Sequence, residues 1–180
     1  MLLYHGTDKQ IGEIDYSKSR LRTDFGKGFY FADQLGTSRD WAAKTAAERG
    51  GIPTVMRYNF NDDLLQDILL KRLRFNAPTT EWLDFVKENR RVASTKAKTP
   101  EPRHDYDVVS GPIANDKVAR VVALYCRGSM TMDEAIQRIK AIPNVYQLSI
   151  HTELAKTYVI DVHFQQYKNG KWCAWKRSTI

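Results

Sequence analysis

Tyr4-His5-Gly6-Thr7, followed by Gly26-Lys27-Gly28-Phe29-Tyr30-Phe31-Ala32-Asp33, decides how this chain is to be read. Leu2-Leu3-Tyr4 is a short apolar and aromatic run, the pattern of a strand, and His5-Gly6-Thr7 ends it. A glycine there lets a ligand approach the backbone, because no Cβ stands in the way, and its N–H and C=O can pair with a planar carboxamide. His5 and Thr7 place donors and acceptors beside that spot. In the second stretch, two glycines bracket Lys27 and turn the chain into another strand. Alternation along it sends Phe29 and Phe31 into the core and leaves the ring of Tyr30 on the other face, available for stacking.

The residues that follow extend the same site. Thr37-Ser38-Arg39-Asp40-Trp41 opens a helix, with Thr37 and Asp40 as a capping box. The helix runs to about Arg49 and is closed by Gly50-Gly51. Trp41 falls in its first turn, near the strand end that carries Tyr30. Two aromatic rings and the Ser38 hydroxyl are therefore expected to line one slot.

Taken together and in this order, these motifs resemble the NAD-binding half of the ADP-ribosyltransferases of the poly(ADP-ribose) polymerase and diphtheria-toxin type. That family carries a His, a Tyr and a final Glu, Asp or Gln on separate strands of a split β-sheet. His5 matches the first and Tyr30 the second, within a GKGFYFAD that looks like the polymerase form. The resemblance implies an α+β fold, NAD+ as substrate and no metal. It implies that the Gly6 backbone holds the nicotinamide amide, that Ser38 adds a hydrogen bond to it, that Tyr30 and Trp41 sandwich the ring, and that His5 bonds a ribose hydroxyl. Thr7 and Gly28 complete the two cofactor motifs. Arg20 and Arg22, just before the glycine turn, have the charge and position to meet the pyrophosphate.

The third catalytic position falls in Asn144–Ile150, which reads as a strand, most naturally at Gln147. Glu153, in the 151–156 loop entering a short helix, is the alternative. Gln147 can hydrogen-bond the 2′-hydroxyl of the nicotinamide ribose, but it lacks the negative charge that a Glu offers to a positively charged transition state. The implied reaction is therefore transfer of a single ADP-ribose to a macromolecule rather than polymer synthesis. The alternative is an inactive NAD-, ADP-ribose- or RNA-binding module of the same fold. An RNA 2′-phosphotransferase, which shares the fold, is a third reading. The middle of the chain, Glu81–Phe85 and Tyr106–Asp116, resembles an uncharacterised bacterial family of this superfamily found in toxin–antitoxin and effector settings. A toxin or effector role, with an antitoxin protein as partner, is what that likeness implies.

Composition bounds the rest. The 180 residues suffice for one domain with its own core. Absence of a membrane-length apolar run or a signal-peptide pattern, and cysteines (Cys126, Cys173) read as free thiols, suggest the cytoplasm. His5, His104, His151 and His163 lack metal-ligand spacing. Lys and Arg number 28 against 21 Asp and Glu, a net charge of +7. The excess gathers in Lys71, Arg72, Arg74, Lys87, Arg90, Arg91, Lys96, Lys98 and Arg103, and again in Lys168, Lys171, Lys176 and Arg177 beside Tyr167, Trp172 and Trp175. Basic residues interleaved with aromatics favour nucleic acid over protein as the acceptor, though an acidic protein also fits.

Further along, 54–60 alternates as a strand. Asn61 or Asp62 caps a helix through about Arg74, and Pro78-Thr79-Thr80 opens another through about Arg91. These form a helical insertion at about 61–103 in a single domain, with 93–103 as a mobile loop. Tyr106–Ser110 reads as a strand and Gly111-Pro112 as a turn, while 118–125 is strand or helix. Thr131 starts a helix that ends before Pro143, and 145–150 and 157–164 are strands. About six strands and four or five helices in mixed order give an α+β fold with a split sheet.

Overall fold

Period-two alternation builds the middle of the sheet. The computed structural model describes residues 1–90, 104–114, 116–142 and 145–178, so the expected loop at 93–103 and the basic residues Arg91, Lys96, Lys98 and Arg103 lie outside the described residues. Strand β1 (Leu2–Thr7) pairs antiparallel with β3 (Thr54–Phe60) along its whole length. From β3 outward follow β7 (Val159–Lys168) and β8 (Lys171–Trp172), with β9 (Lys176–Arg177) also on β7. On the other side of β1 stand β2 (Phe29–Ala32), β6 (Tyr146–Ile150), β5 (Val108–Pro112) and β4 (Arg72–Arg74). Neighbours are antiparallel except β4 and β5, which run parallel.

β1 and β2 meet at a single register pair, Tyr4↔Ala32. The sheet is thus two leaves, β1-β3-β7 and β2-β6-β5-β4, joined at that point. Leu3, Met56, Tyr58 and Phe60 from one leaf, and Phe29, Phe31, Leu148 and Ile150 from the other, share a core on one face. Phe29 and Phe31 turn inward as alternation requires.

The four longer helices among the described residues cover the opposite face. α1 (Leu35–Arg49) lies on β1, β2 and β3. α2 (Thr80–Arg90), α3 (Asp116–Cys126) and α4 (Met132–Lys140) pack on one another over the second leaf, around Trp82, Leu83, Val86, Val109, Val118 and Ile139. Burying each such side chain contributes roughly 1.5–3 kcal/mol. The short α5 (Glu153–Lys156) follows β6. Thr131 caps α4 in a capping box with Glu134, as the sequence indicates.

Several expectations are corrected. α1 starts at Leu35, two residues before the expected Thr37 cap; Gln34 occupies the N-cap without a side-chain bond, and left-handed Gly50 closes the helix as expected. No helix runs from 61 to 74. Asn61 caps only a 3-10 turn over Asp62–Leu65, and Arg72–Arg74 become strand β4. The helical spacing of Leu64, Leu65, Ile68 and Leu69 misleads, because Ile68 is 93% exposed and Leu69 69%. Asp67 instead accepts the Leu69 N–H and the Tyr158 hydroxyl, which fixes a turn. The segment read as a helical insertion therefore gives the sheet an edge strand and, among the described residues, one α-helix. Gly111-Pro112 is strand rather than turn, paired with Gln147 and Tyr146. Residues 118–125 are helical, and β8 and β9 add strands beyond the expected six.

Candidate functional site at the junction of the two leaves

The register fixes where the Gly6 backbone points. Met1 and Phe60 exchange hydrogen bonds through both N–H and C=O. By alternation, Leu3↔Tyr58, His5↔Met56 and Thr7↔Thr54 are then the hydrogen-bonded pairs of the ladder. The N–H and C=O of Tyr4 and Gly6 are directed the other way, at β2. Tyr4 finds Ala32 there; Gly6 would meet Tyr30 next, but the ladder stops. Across this opening the His5 Nδ1–H donates to the Tyr30 carbonyl at 2.7 Å.

Gly6 also sets the distance to α1. A Cβ at this position would fall inside van der Waals contact with the Ser38 carbonyl oxygen and 2.8 Å from Ala42 N. Only glycine lets the helix lie this close, and Ser38, 2% exposed, is thereby pressed against the opening. Arg39 reaches from one flank of α1 to Gln165 of β7 at 3.3 Å. Trp41, two residues on, is about 200° around the helix, on the flank facing β2. It is 45% exposed, with the Arg20 guanidinium 5.7 Å from its ring centroid. Arg22 is exposed and left-handed (φ 62), and Thr7 is buried with its hydroxyl on Asp8 at 3.3 Å.

Tyr30 shares the face of Gly6 and α1, but its hydroxyl is occupied. It accepts from the Phe25 N–H (3.0 Å), donates to the Gly26 carbonyl (2.6 Å) and lies 2.7 Å from Thr23 Oγ1. Burial pushes its pKa up, so it stays protonated. Its ring packs toward Phe25 and His151. Tyr30 therefore anchors the 23–26 turn as well as presenting a ring.

That turn carries Asp24, which the sequence reading did not single out. Asp24 is 6% exposed and gathers four donors. Oδ1 takes Arg90 Nε (2.8 Å) and Nη2 from the end of α2. Oδ2 takes the Ala114 N–H (3.0 Å) and the amide nitrogen of Gln147 (2.8 Å). The same nitrogen lies 3.5 Å from the Pro112 carbonyl. Both neighbours only accept, so the nitrogen faces them and Gln147 Oε1 is turned away. Gln147 pairs with Ala32, which pairs with Tyr4, so it shares the face of Gly6 and Tyr30. Glu153, by contrast, sits beyond the far end of β6 on α5, 74% exposed and ion-paired with Lys156 at 3.3 Å.

Gly28 touches a histidine rather than an open slot. A Cβ there would come within 2.9 Å of the Ile150 carbonyl and collide with the His151 ring. That ring donates from Nδ1 to the Lys27 carbonyl (2.8 Å) and accepts at Nε2 from the Ser149 hydroxyl (2.8 Å). His104 donates to the Phe25 carbonyl at 2.8 Å. No group of three His, Cys, Asp or Glu able to hold a metal occurs among the described residues, and no helix among them is long and apolar enough to cross a membrane. Both cysteines are free. A cavity of 150 Å³ opens on the opposite face, beside Ile14, Tyr58 and Lys156, away from these residues.

Desolvation pushes the pKa of both His5 and His151 from 6.5 down to about 4, against the opposing effect of their backbone acceptors. Both imidazoles are neutral at pH 7, with the proton on Nδ1. In the unfolded chain they take up protons near pH 6.5, so stability falls as pH drops from 6.5 to 4, by on the order of 3 kcal/mol per imidazole. Urea midpoints measured across that range should show the slope. His5→Asn and His151→Asn, which keep a donor near Nδ1, should each remove one histidine's share. An unchanged slope in both variants would mean that neither ring is neutral in the fold. Carboxylates with lowered pKa, such as Glu134, lose their contribution only at lower pH.

Residues 1–160 match a family model described as a protein of unknown function, DUF3990. The match includes His5, Gly6, Asp24, Tyr30, Trp41 and Gln147, and ends before Gln165. No curated protein and no solved structure matches the chain. With most of its length covered by that model, the chain belongs to the DUF3990 family.

Proposed function

We propose that this protein transfers ADP-ribose from NAD+ to a macromolecular acceptor and releases nicotinamide. One observation carries the reading. Gly6 and Tyr30 face each other across an unpaired opening in the sheet, with Trp41 on one flank and the oriented amide of Gln147 on the same face. The residues present suit the substrate. A carboxamide needs a donor and an acceptor side by side, which the Gly6 N–H and C=O supply. The half-exposed Trp41 offers a ring face to nicotinamide, and Arg20 above it brings a cation for the pyrophosphate.

NAD+ supplies an activated bond between nicotinamide and the ribose carbon. That bond breaks with its electron pair leaving on nicotinamide, and a nucleophile of the acceptor gives a pair to the same carbon and loses a proton. Gln147 Oε1 accepts from the ribose 2′-hydroxyl. Asp24, bonded to the amide nitrogen, draws electron density toward Oε1 and supplies at one remove part of the charge that Gln147 lacks. His5, held neutral against Phe29 on the other face, keeps the opening in place through its bond to the Tyr30 carbonyl. Gln147 is preferred to Glu153, which stands exposed on α5 and paired with Lys156.

Radiolabelled NAD+ incubated with the protein and cell lysate should label macromolecules, and nuclease or protease treatment names the acceptor class. Trp41→Ala should weaken NAD+ binding by the equivalent of roughly 1–3 kcal/mol, the size of a ring–base stack, without lowering thermal stability. Unchanged affinity would remove the slot. One observation favours a second reading, a binding module without turnover: the final position is a neutral Gln. NAD+ bound but never consumed, with any acceptor, would establish it in place of the transferase.

A further inference from the structure

We propose that the α1-side face of β1, β3, β7 and β9 is a platform for single-stranded nucleic acid, which supplies the acceptor. The proposal rests on the transferase reading for what happens to the strand, but not for its binding.

Arg57 and Tyr4 are paired across β3 and β1. The Arg57 guanidinium lies over the Trp175 ring at 4.6 Å, and the Tyr4 ring is 6.3 Å from Trp175. Arg39 repeats the arrangement over Trp172 at 5.1 Å. Neither arginine is ion-paired with a carboxylate among the described residues. Arg177 stands exposed on the same cross-strand row, through His163, while Lys176 pairs with Phe164 and turns to the other face. On β7, Asp161 is taken up by Arg177 and His163, each at 3.2 Å. Arg57 and Arg39 can thus take counter-charge from an incoming strand, and the chain as a whole carries +7.

The platform runs into the candidate site. Arg57, Tyr4, Ala32 and Gln147 form one cross-strand row on one face of the sheet. Strand spacing puts Tyr4 about 10 Å from Gln147. Flat arginine–tryptophan stacks beside unneutralised cations suit bases and phosphates together, whereas an acidic peptide would use only the cations. Trp172 and Trp175 lie beyond residue 160, outside the stretch shared with the family model.

The test uses fluorescein-labelled oligouridylate and oligothymidylate, titrated by anisotropy without NAD+ at low and moderate salt; the two probes separate RNA from DNA. Binding should weaken with salt. Arg57→Ala and Trp175→Ala should each lower affinity roughly 5- to 150-fold, the equivalent of one stacked base. Thermal melting checks folding, and exposed Arg177→Ala, on the same cross-strand row as Arg57, serves as a milder variant that should still reduce the salt dependence. With NAD+ added, Arg57→Ala should cut transfer to the oligonucleotide while release of nicotinamide to water persists. Oligonucleotide binding that ignores Arg57 and Trp175, or labelling confined to protein, overturns the platform. Intact binding with no NAD+ consumption leaves the platform standing and overturns the transferase instead.

Discussion

Gly6→Ala is expected to lower stability by more than about 3 kcal/mol and to lift α1 off the sheet. The added methyl meets backbone, the Ser38 carbonyl and the Ala42 N–H, rather than the end of a side chain that could swing aside. Relief requires a shift of the helix that carries Ser38 and Trp41, so NAD+ affinity should fall with stability. For a chain of this length the melting temperature should drop by roughly 6–12 °C. Gly36→Ala supplies the contrast. It lies in α1 with open space where its Cβ would go, and should stabilise by about 0.5–1 kcal/mol. Equal melting temperatures for the Gly6 variant and the parent would show that α1 does not rest on β1 as described, and the slot would lose its wall.

That dependence explains what was legible in the sequence. His5, Gly6, Tyr30, Ser38 and Trp41 sit in two short stretches whose relation is local: a strand, a glycine turn, a strand and the helix that follows. Alternation gave the faces of Phe29 and Phe31, and Thr131 with Glu134 gave the start of α4. Asp24 could not be found this way. Its partners Arg90, Ala114 and Gln147 come from three distant parts of the chain, and no spacing announces them. The same limit hid the single register pair between β1 and β2, which depends on strands distant in sequence. Leu64–Leu69 failed for the opposite reason. A helical period was present, but of its residues the fold buries only Leu64, and the turn bonds of Asp67 won. The position of Glu153 was not legible, because it depends on where α5 sits relative to β6.

Gln147→Glu, which installs the charged residue of the transferases that the sequence resembles, is expected to impair this protein rather than improve it. The Gln147 amide donates to Asp24 at 2.8 Å, and a carboxylate there cannot. Two carboxylates at that distance do not both ionise, so one has its pKa driven up. A raised folded pKa contributes stability in acid that is lost as pH rises through it. The variant should match its parent near pH 5, where the introduced carboxyl is protonated and still donates. By pH 8 it should be weaker by about 2–4 kcal/mol, the size of a lost charge-assisted bond plus repulsion at a buried ion pair. NAD+ consumption should follow the same profile. Adding Asp24→Asn reverses the polarity. The introduced asparagine amide can donate to the new carboxylate and still accept from Arg90, but the Ala114 N–H, which Oδ2 now accepts, then loses its partner. The double variant should recover part of the stability at pH 8 and, on the proposed reading, consume NAD+ faster than the Gln147→Glu single variant, whereas Asp24→Asn alone should slow consumption by removing the charge behind Gln147. Urea unfolding and NAD+ consumption across pH 5–8 for the three variants decide the matter. A Gln147→Glu single variant that is stable and fast at pH 8 would mean that Asp24 does not hold the amide, and the charge behind the slot would have to come from elsewhere.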